Sequence, residues 1–321
     1  MVVWDKWKAM GSDVTITIVA SDHINAENEI EISKKEITYF EKRFSRFLSS
    51  SELSKINNSG GKEIPTSPEM IDLLKKTREM HAKTSGVFDP TVLDTLISYG
   101  YDRSLDFDSG VKVAGAGHTE DEIKNKFLSR TKFDELVIDE KNSTLHIPVG
   151  LKIDLGGIGK GYIADRVADR LSKKYKDFWI SAGGDMYLSG KNEGGSSWEV
   201  PLQNPLEPKT TLSSIGSILI LDPKMCIANS GVIKRKGTSG NMEWNHIINP
   251  KTGLSVKNDM LAATVIAKSV CDADVFAKAA LILGKKDGIE LINKIADTEC
   301  IMIDKNMDIV FSDGIKKYLK K

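Results

Sequence analysis

Cysteine is scarce in this chain: three residues in 321, Cys226, Cys271 and Cys300, far apart and never in a Cys-x-x-Cys pair. That spacing argues against a disulfide framework or a zinc site and leaves buried, inert thiols as the plain reading. A charge excess is also lacking, because 45 basic residues face 45 acidic ones. Nucleic-acid binders usually carry a basic surplus, so the balance gives no support to one. No run reaches the ~18 consecutive apolar residues of a membrane-crossing helix. Low-complexity linkers and a solenoid-type repeat period are missing too. The opening stretch MVVWDKWKAMGSDVTITIVA places Asp5, Lys6 and Lys8 before any apolar run. It does not have the basic, apolar and small-residue order of an export signal. A cytoplasmic protein is the expectation; an exported one whose leader is absent from this sequence is the alternative.

What is present is enough chain for a real core without staples, as one large domain or two modest ones. Asp13–Ala20 alternates like a strand, with Val14, Ile16 and Ile18 on one face. Residues 25–47 follow the helical period. A second helix opens with Ser67 as N-cap and Pro68 at its first position, and ends by Gly86. Residues 101–128 are polar and glycine-bearing, which predicts a surface excursion. A hairpin follows, with its turn at Lys141, Asn142 and Ser143. Short strands then alternate with turns up to Asp272, where a helical stretch is interrupted by Gly284. Strands come in runs broken by a few helices, which predicts an α+β fold with largely antiparallel sheet.

The segment DLGGIGKGYIADRVADRL, Asp154 to Leu171, puts four glycines and Lys160 at the mouth of an amphipathic helix. It is not a Walker A loop, since no Gly stands at position 154 and no Ser or Thr follows Lys160. Its physics still suits an anion: glycines let N–H groups approach, the helix end is positive, and Lys160 adds a full charge. The alternative is a tight strand-to-helix turn with an exposed lysine. Further loops of this kind are SAGGD (Ser181–Asp185), ANSGVIKRK with Ser230 and Gly231, and HIINPKTG. The last predicts His246 on a strand ahead of a turn at Asn249 to Gly253.

Together with AMGSDVTI, FSRFLSSSELSKIN, SGVFDPTV and DADVFAKAALILG, these segments stand in an order that resembles the ApbE family, the FAD:protein FMN transferases. The resemblance runs nearly end to end and implies a single domain over residues 1–321. It implies an α+β fold of antiparallel sheets and packed helices around an extended FAD groove. It also implies Mg2+-dependent cleavage of the FAD pyrophosphate, with FMN passing to a Thr or Ser hydroxyl of an acceptor protein and AMP leaving. Some relatives hydrolyse FAD and some only hold it, so a pyrophosphatase or an FAD-binding protein remains the alternative. The sequence contains no convincing copy of the family's acceptor motif. The implied partner is therefore modified in trans, a redox flavoprotein subunit of a kind that can be membrane-associated.

Residue by residue, the resemblance assigns His246 as the base, a role suited to an imidazole near neutral pH. It implies a Mg2+ site at Asp274 and a backbone carbonyl near Gly157. Where relatives commonly carry Thr or Ala four residues after that Asp, this chain has Lys278. Positions i and i+4 share a helix face, so Lys278 either makes an ordinary helix pair with Asp274 or enters the catalytic groove, where it tunes the Mg2+ site or supplies part of the charge itself. Met10 and Gly11 are matched to the isoalloxazine ring, and Phe47 to adenine stacking or, plainly, to core. Asp89, Lys160, Gly183, Gly184, Asp185, Ser230 and Gly231 are matched to the rest of FAD. Asn229, Ile233 and Lys234 depart from the family's usual Thr, aromatic and Arg.

Overall fold

The computed structural model describes residues 1–105, 107, 117–130, 132–207, 214–220, 223–239 and 242–320. They form two compact units. The first contains Met1–Tyr39, Lys160–Ile233 and Asp259–Lys321; the second contains Phe40–Gly159 and Lys234–Asn258. The chain opens with a hairpin, β1 (Val2–Ala9) and β2 (Ser12–Val19), and then helices α1 (His23–Phe44) and α2 (Glu52–Asn57). Next come β3 (Glu63–Pro65), α3 (Pro68–Lys83), α4 (Leu93–Ser98), α5 (Glu120–Leu128), β4 (Val137–Asp139) and β5 (Thr144–His146). Helix α6 (Gly159–Leu171) leads to β6 (Phe178–Ala182), β7 (Asp185–Ser189), β8 (Glu199–Gln203), β9 (Ser214–Leu219) and β10 (Lys224–Gly231). Two small pairs follow, β11 (Lys236–Ser239) with β12 (Met242–Asn245) and β13 (Ile248–Asn249) with β14 (Leu254–Ser255). Strand β15 (Met260–Ala267), helix α7 (Val270–Asn293), β16 (Glu299–Asp304) and β17 (Ile309–Phe311) complete the set.

The first unit is built on a sheet in the order β1-β2-β6-β7-β10-β15-β16-β17, in which every neighbouring pair is antiparallel. Chain order and sheet order coincide among these strands, so the α+β expectation with antiparallel sheet is met. In β2, Val14, Ile16 and Ile18 are all fully buried, as period-2 alternation requires. Helix α7 packs across β7, β10, β15 and β16. It approaches closely because Ala273, Ala277 and Ala280 are small and buried. Met225 and Ile227 of β10 join Leu188, Ile266 and Ile301 in an apolar cluster completed by Leu202, Ile218, Ile315 and Tyr318. The three thiols are buried, and burial pushes those of Cys226 and Cys300 far above the ordinary range, so they are unreactive.

Local signals behave as their chemistry dictates. Ser67 Oγ accepts from the Met70 N–H at 3.2 Å and caps α3 ahead of Pro68. Gly284 interrupts α7 with φ 80° and ψ −173°. In the second unit, α4, α5 and the β12–β14 segment surround Tyr99, Tyr101, Trp244, Ile123, Leu96 and Ile248. Within 101–128, α5 is capped by a reciprocal Thr119–Glu122 box and buries Ile123 and Phe127. Residues 106 and 108–116 of that expected surface excursion lie outside the described residues.

Candidate functional site

In the first unit, two tight hairpin tips sit side by side. The β1–β2 loop consists of Met10 and Gly11, at φ 53° and φ 64°, between the paired Ala9 and Ser12. Left-handed conformations at both loop residues suit the right-handed twist of the strands. Met10 adopts its own at a cost that glycine would not incur. The β6–β7 loop consists of Gly183 and Gly184, at φ 70° and φ 96°, between the paired Ala182 and Asp185. Because β2 pairs with β6, the two tips adjoin, and the Gly183 N–H donates to the Asp13 carbonyl at 2.8 Å. A β-carbon at Gly183 would lie 2.8 Å from Ser12 Oγ and 3.6 Å from Lys160 Cδ. Glycine is therefore required there for space as well as for φ.

Behind these tips lies a compact charge cluster. Asp185 opens β7 and Asp274 sits in the second turn of α7; both side chains are 1% exposed. Lys160, in the first turn of α6, pairs with Asp185 Oδ2 and lies 3.9 Å from Asp274 Oδ2. Lys278 pairs with Asp274 Oδ1 and donates to the Asp274 carbonyl at 3.3 Å. The remaining oxygens, Asp185 Oδ1 and Asp274 Oδ2, are buried and accept no hydrogen bond among the described residues. Removing one member of such a buried pair typically costs about 3–5 kcal/mol.

These contacts decide how the cluster suits a divalent ion. Two carboxylates and two ammonium groups cancel, so no negative charge is left over for one. A Mg2+ ion on Asp274 would face the Lys278 ammonium on the same carboxylate and that of Lys160 close by. At ~4 Å and an effective dielectric constant of ~20, each unit repulsion is about 4 kcal/mol, doubled for a divalent ion. Among the described residues no three His, Cys, Asp or Glu side chains gather to hold a metal. The expected Mg2+ ligation by Asp274 does not fit this donor set. The cause is the pair of ammonium groups: Lys278 takes Oδ1 of that carboxylate, and Lys160 stands 3.9 Å from its Oδ2.

Two more features fix the cluster. Gly161 lies against the start of α7, where a β-carbon would come within 2.6 Å of Cys271 Cα and 2.8 Å of the Val270 carbonyl oxygen. One turn on, Asp165 Oδ1 and Oδ2 accept from the Val270 and Cys271 N–H groups, each at 2.8 Å. Burial nevertheless raises the Asp165 carboxyl to about 6. Ser230 is buried near the end of β10 opposite Ala263, and Gly231 is opposite Ala262. On the same strand Asn229 Oδ1 accepts from Thr264 Oγ1 at 3.0 Å.

The second unit holds the other sequence candidates. Asp154, at the start of the glycine loop, pairs with Arg46 Nε at 3.2 Å and accepts from the Gly156 N–H at 2.7 Å. Gly157 follows within this tied-down turn, and the Gly159 N–H donates to the Leu155 carbonyl at 2.8 Å. The Arg46 guanidinium lies 4.1 Å from the Phe47 ring centroid and 4.6 Å from that of Tyr101. Phe47 is half-buried against the aromatic cluster. Sequence reasoning passed over Arg46, although a cation between Phe44 and Phe47 was the available signal. Asp89 pairs with Arg130, and its Oδ1 accepts from the Thr91 N–H at 2.8 Å and the Thr91 hydroxyl at 2.6 Å. Its capacity goes into holding its own loop.

His246 is not on a strand, as its sequence context had suggested, but in the bend after β12. Asn245 ends that strand: its Oδ1 accepts from the Ile247 N–H at 3.0 Å and its Nδ2 donates to the Val256 carbonyl at 3.0 Å. Such side-chain-to-backbone bonds compete with a ladder. The half-buried His246 donates its own N–H to the Arg235 carbonyl at 3.1 Å. Among the described residues no helix is long and apolar enough to cross a membrane.

Comparison with known proteins places this geometry in context. A Vibrio cholerae protein described as FAD:protein FMN transferase is 26% identical over 279 residues, 86% of this chain and 78% of its own. One from Salmonella typhimurium, with the same description, is 25% identical over 303 residues, 89% and 80% of the two chains. A Klebsiella pneumoniae protein so described is 30% identical over 187 residues, 58% of this chain; the match spans 56% of that relative. Among solved structures, the ApbE protein from Thermotoga maritima aligns over the full length of both chains with a TM-score of 0.86 and 24% identity. The flavin transferase ApbE from Vibrio cholerae aligns over 99% of each chain with a TM-score of 0.80 and 22% identity. These likenesses establish the fold. The sequence model of the ApbE family matches residues 10–302, a range that includes segments of both units, and the chain belongs to that family.

Proposed function

We propose that this chain transfers the FMN half of FAD to a Thr or Ser hydroxyl of an acceptor flavoprotein, releasing AMP. The observation that carries the reading is the meeting of the Met10–Gly11 tip, the Gly183–Gly184 tip and the Lys160 cluster in one place, within a chain of this family. Relatives described as FAD:protein FMN transferases support the substrate and the reaction. Residues 1–321 are read as one ApbE-like domain, because a single family match runs through both units.

In this reading the acceptor hydroxyl oxygen attacks the FMN phosphorus and forms the new phosphoester bond. The bond from that phosphorus to the bridging oxygen breaks, and AMP leaves with the electron pair. His246 takes the hydroxyl proton, since an imidazole accepts a proton readily near neutral pH. Met10 and Gly11 meet the isoalloxazine ring, Phe47 the adenine, and the loops bearing Gly183, Gly184, Ser230 and Gly231 the chain between them. Lys160 offers positive charge to the pyrophosphate from a helix N-terminus, where anions are favoured. Asp89 shapes the groove through Arg130 and Thr91. The partner is a redox subunit modified in trans. Because Asp274 is already paired with Lys278, no step is assigned to Mg2+.

The test is incubation with FAD and an acceptor peptide, followed by mass analysis of the peptide and detection of AMP. Wild-type protein is expected to add one FMN per peptide. His246→Ala is expected to keep FAD binding and lose transfer by ~10²–10⁴-fold, the usual loss for a general base. FAD binding without peptide labelling by the wild type would instead make the chain an FAD-binding protein. AMP and free FMN without labelling would make it a pyrophosphatase.

A further inference from the structure

The Asp274–Lys278 pair has a consequence for how FAD is held, and it rests on the FAD reading just given. The Lys278 ammonium lies on Oδ1 of the buried Asp274 carboxylate, and it is attached to the next turn of the same helix. Its side chain is 15% exposed and that of Lys160 is 16%, whereas those of Asp185 and Asp274 are 1% exposed. The cluster is neutral before any ligand arrives. What the two ammonium groups can offer a ligand pyrophosphate, without an ion from solution, is their N–H donors. We propose that Lys278 is a tethered replacement for a divalent cation, and that this protein binds FAD through Lys160 and Lys278 without divalent metal. The ammonium compensates phosphate charge as a point charge with three N–H donors.

The substitution that exposes this is Lys278→Thr, which removes the ammonium and leaves the Asp274 carboxylate open. Divalent binding is read with Mn2+ alone, by electron paramagnetic resonance on the full chain after chelator treatment. FAD affinity is read separately, by fluorescence quenching with chelator or with Mg2+. Wild-type protein is expected to leave Mn2+ in its free spectrum and to bind FAD equally in both conditions. Lys278→Thr is expected to bind one equivalent of Mn2+, to lose that site again when Asp274→Asn is added, and to bind FAD at least tenfold more tightly with Mg2+ than with chelator. Stoichiometric Mn2+ on the wild-type protein that Asp274→Asn removes would overturn the proposal. So would a tenfold gain in wild-type FAD affinity on adding Mg2+, which needs no variant to fold. A Lys278→Thr protein that melts cooperatively yet takes up no Mn2+ would also overturn it. Failure of the wild type to bind FAD under either condition would overturn the FAD reading instead, and the Mn2+ result would be unaffected by it.

Discussion

Gly161→Ala is a small change with a large expected effect, because the space beside Gly161 is filled by backbone. A β-carbon there would stand 2.6 Å from Cys271 Cα, 2.8 Å from the Cys271 nitrogen and 2.8 Å from the Val270 carbonyl oxygen. Ordinary contacts begin near 3.4 Å. The first turn of α7 must therefore retreat from α6 by most of an ångström. Overpacking of this kind costs about 1–3 kcal/mol. Alanine returns at most ~1 kcal/mol of helix propensity, and less in a first turn. A net loss of ~1–2 kcal/mol follows, which lowers the melting temperature by a few degrees in a chain this long. The retreat also strains the bonds from Asp165 to the Val270 and Cys271 N–H groups. Asp274, one turn beyond Val270, would shift relative to Asp185, so FAD affinity should fall together with stability. Thermal melts and fluorescence quenching on the same sample read both effects. Gly159→Ala is the control, since a β-carbon there meets only the Phe40 ring at 3.4 Å. A Gly161→Ala protein that melts at or above the wild-type temperature would refute the close-approach argument.

Asp165 predicts a pH effect. Its carboxyl is held at about 6 against an ordinary 3.8, so the native state binds the proton more tightly and this group's contribution weakens as pH rises from 3.8 through 6. At 1.36 kcal/mol per pKa unit the span is ~3 kcal/mol. The stability of wild type minus that of Asp165→Asn should therefore fall by about this much between ~pH 4 and ~pH 7, by denaturant titration; parallel pH curves would contradict it. Met10→Gly separates strain from binding. Relief of a left-handed φ offsets glycine's greater freedom in the unfolded chain, so stability should stay level or rise. Losing a thioether–ring contact worth ~0.3–1.5 kcal/mol should weaken FAD binding two- to tenfold. Unchanged affinity would remove Met10 from the flavin contact.

Period, caps and turn chemistry made much of the fold legible. Val14, Ile16 and Ile18 announce a half-buried strand, Ser67–Pro68 a helix start, and Gly284 a helix break, because each acts through neighbours within a turn or two. The bend at His246 was harder to read, because Asn245 stops its strand through bonds reaching Val256 and Ser255. Helices α2 and α4 have six residues each and are too short for a periodic pattern to declare itself. At the site, the i to i+4 spacing of Asp274 and Lys278 placed them on one face. Whether that face was exposed or buried depended on Asp185 and Lys160, which come from distant parts of the chain. Arg46 shows the same limit: its partner Asp154 lies over a hundred positions away, so adjacency to Phe47 was its only local sign.

The large sheet follows chain order, yet its second and third strands are far apart in time. About 160 residues separate Val19 of β2 from Phe178 of β6. At ~5–20 residues per second, a ribosome needs roughly 8–30 seconds to supply β6 after completing β2. Until then the β2 edge of the β1–β2 hairpin has no β6 to pair with. Such an edge is a template for pairing with another chain. The hairpin also carries Lys6, Lys8 and Asp13, which pair across its outer face. Charges on a strand pair disfavour pairing with another chain, so replacing them with neutral residues is expected to cost yield in synthesis before it costs stability in the finished protein.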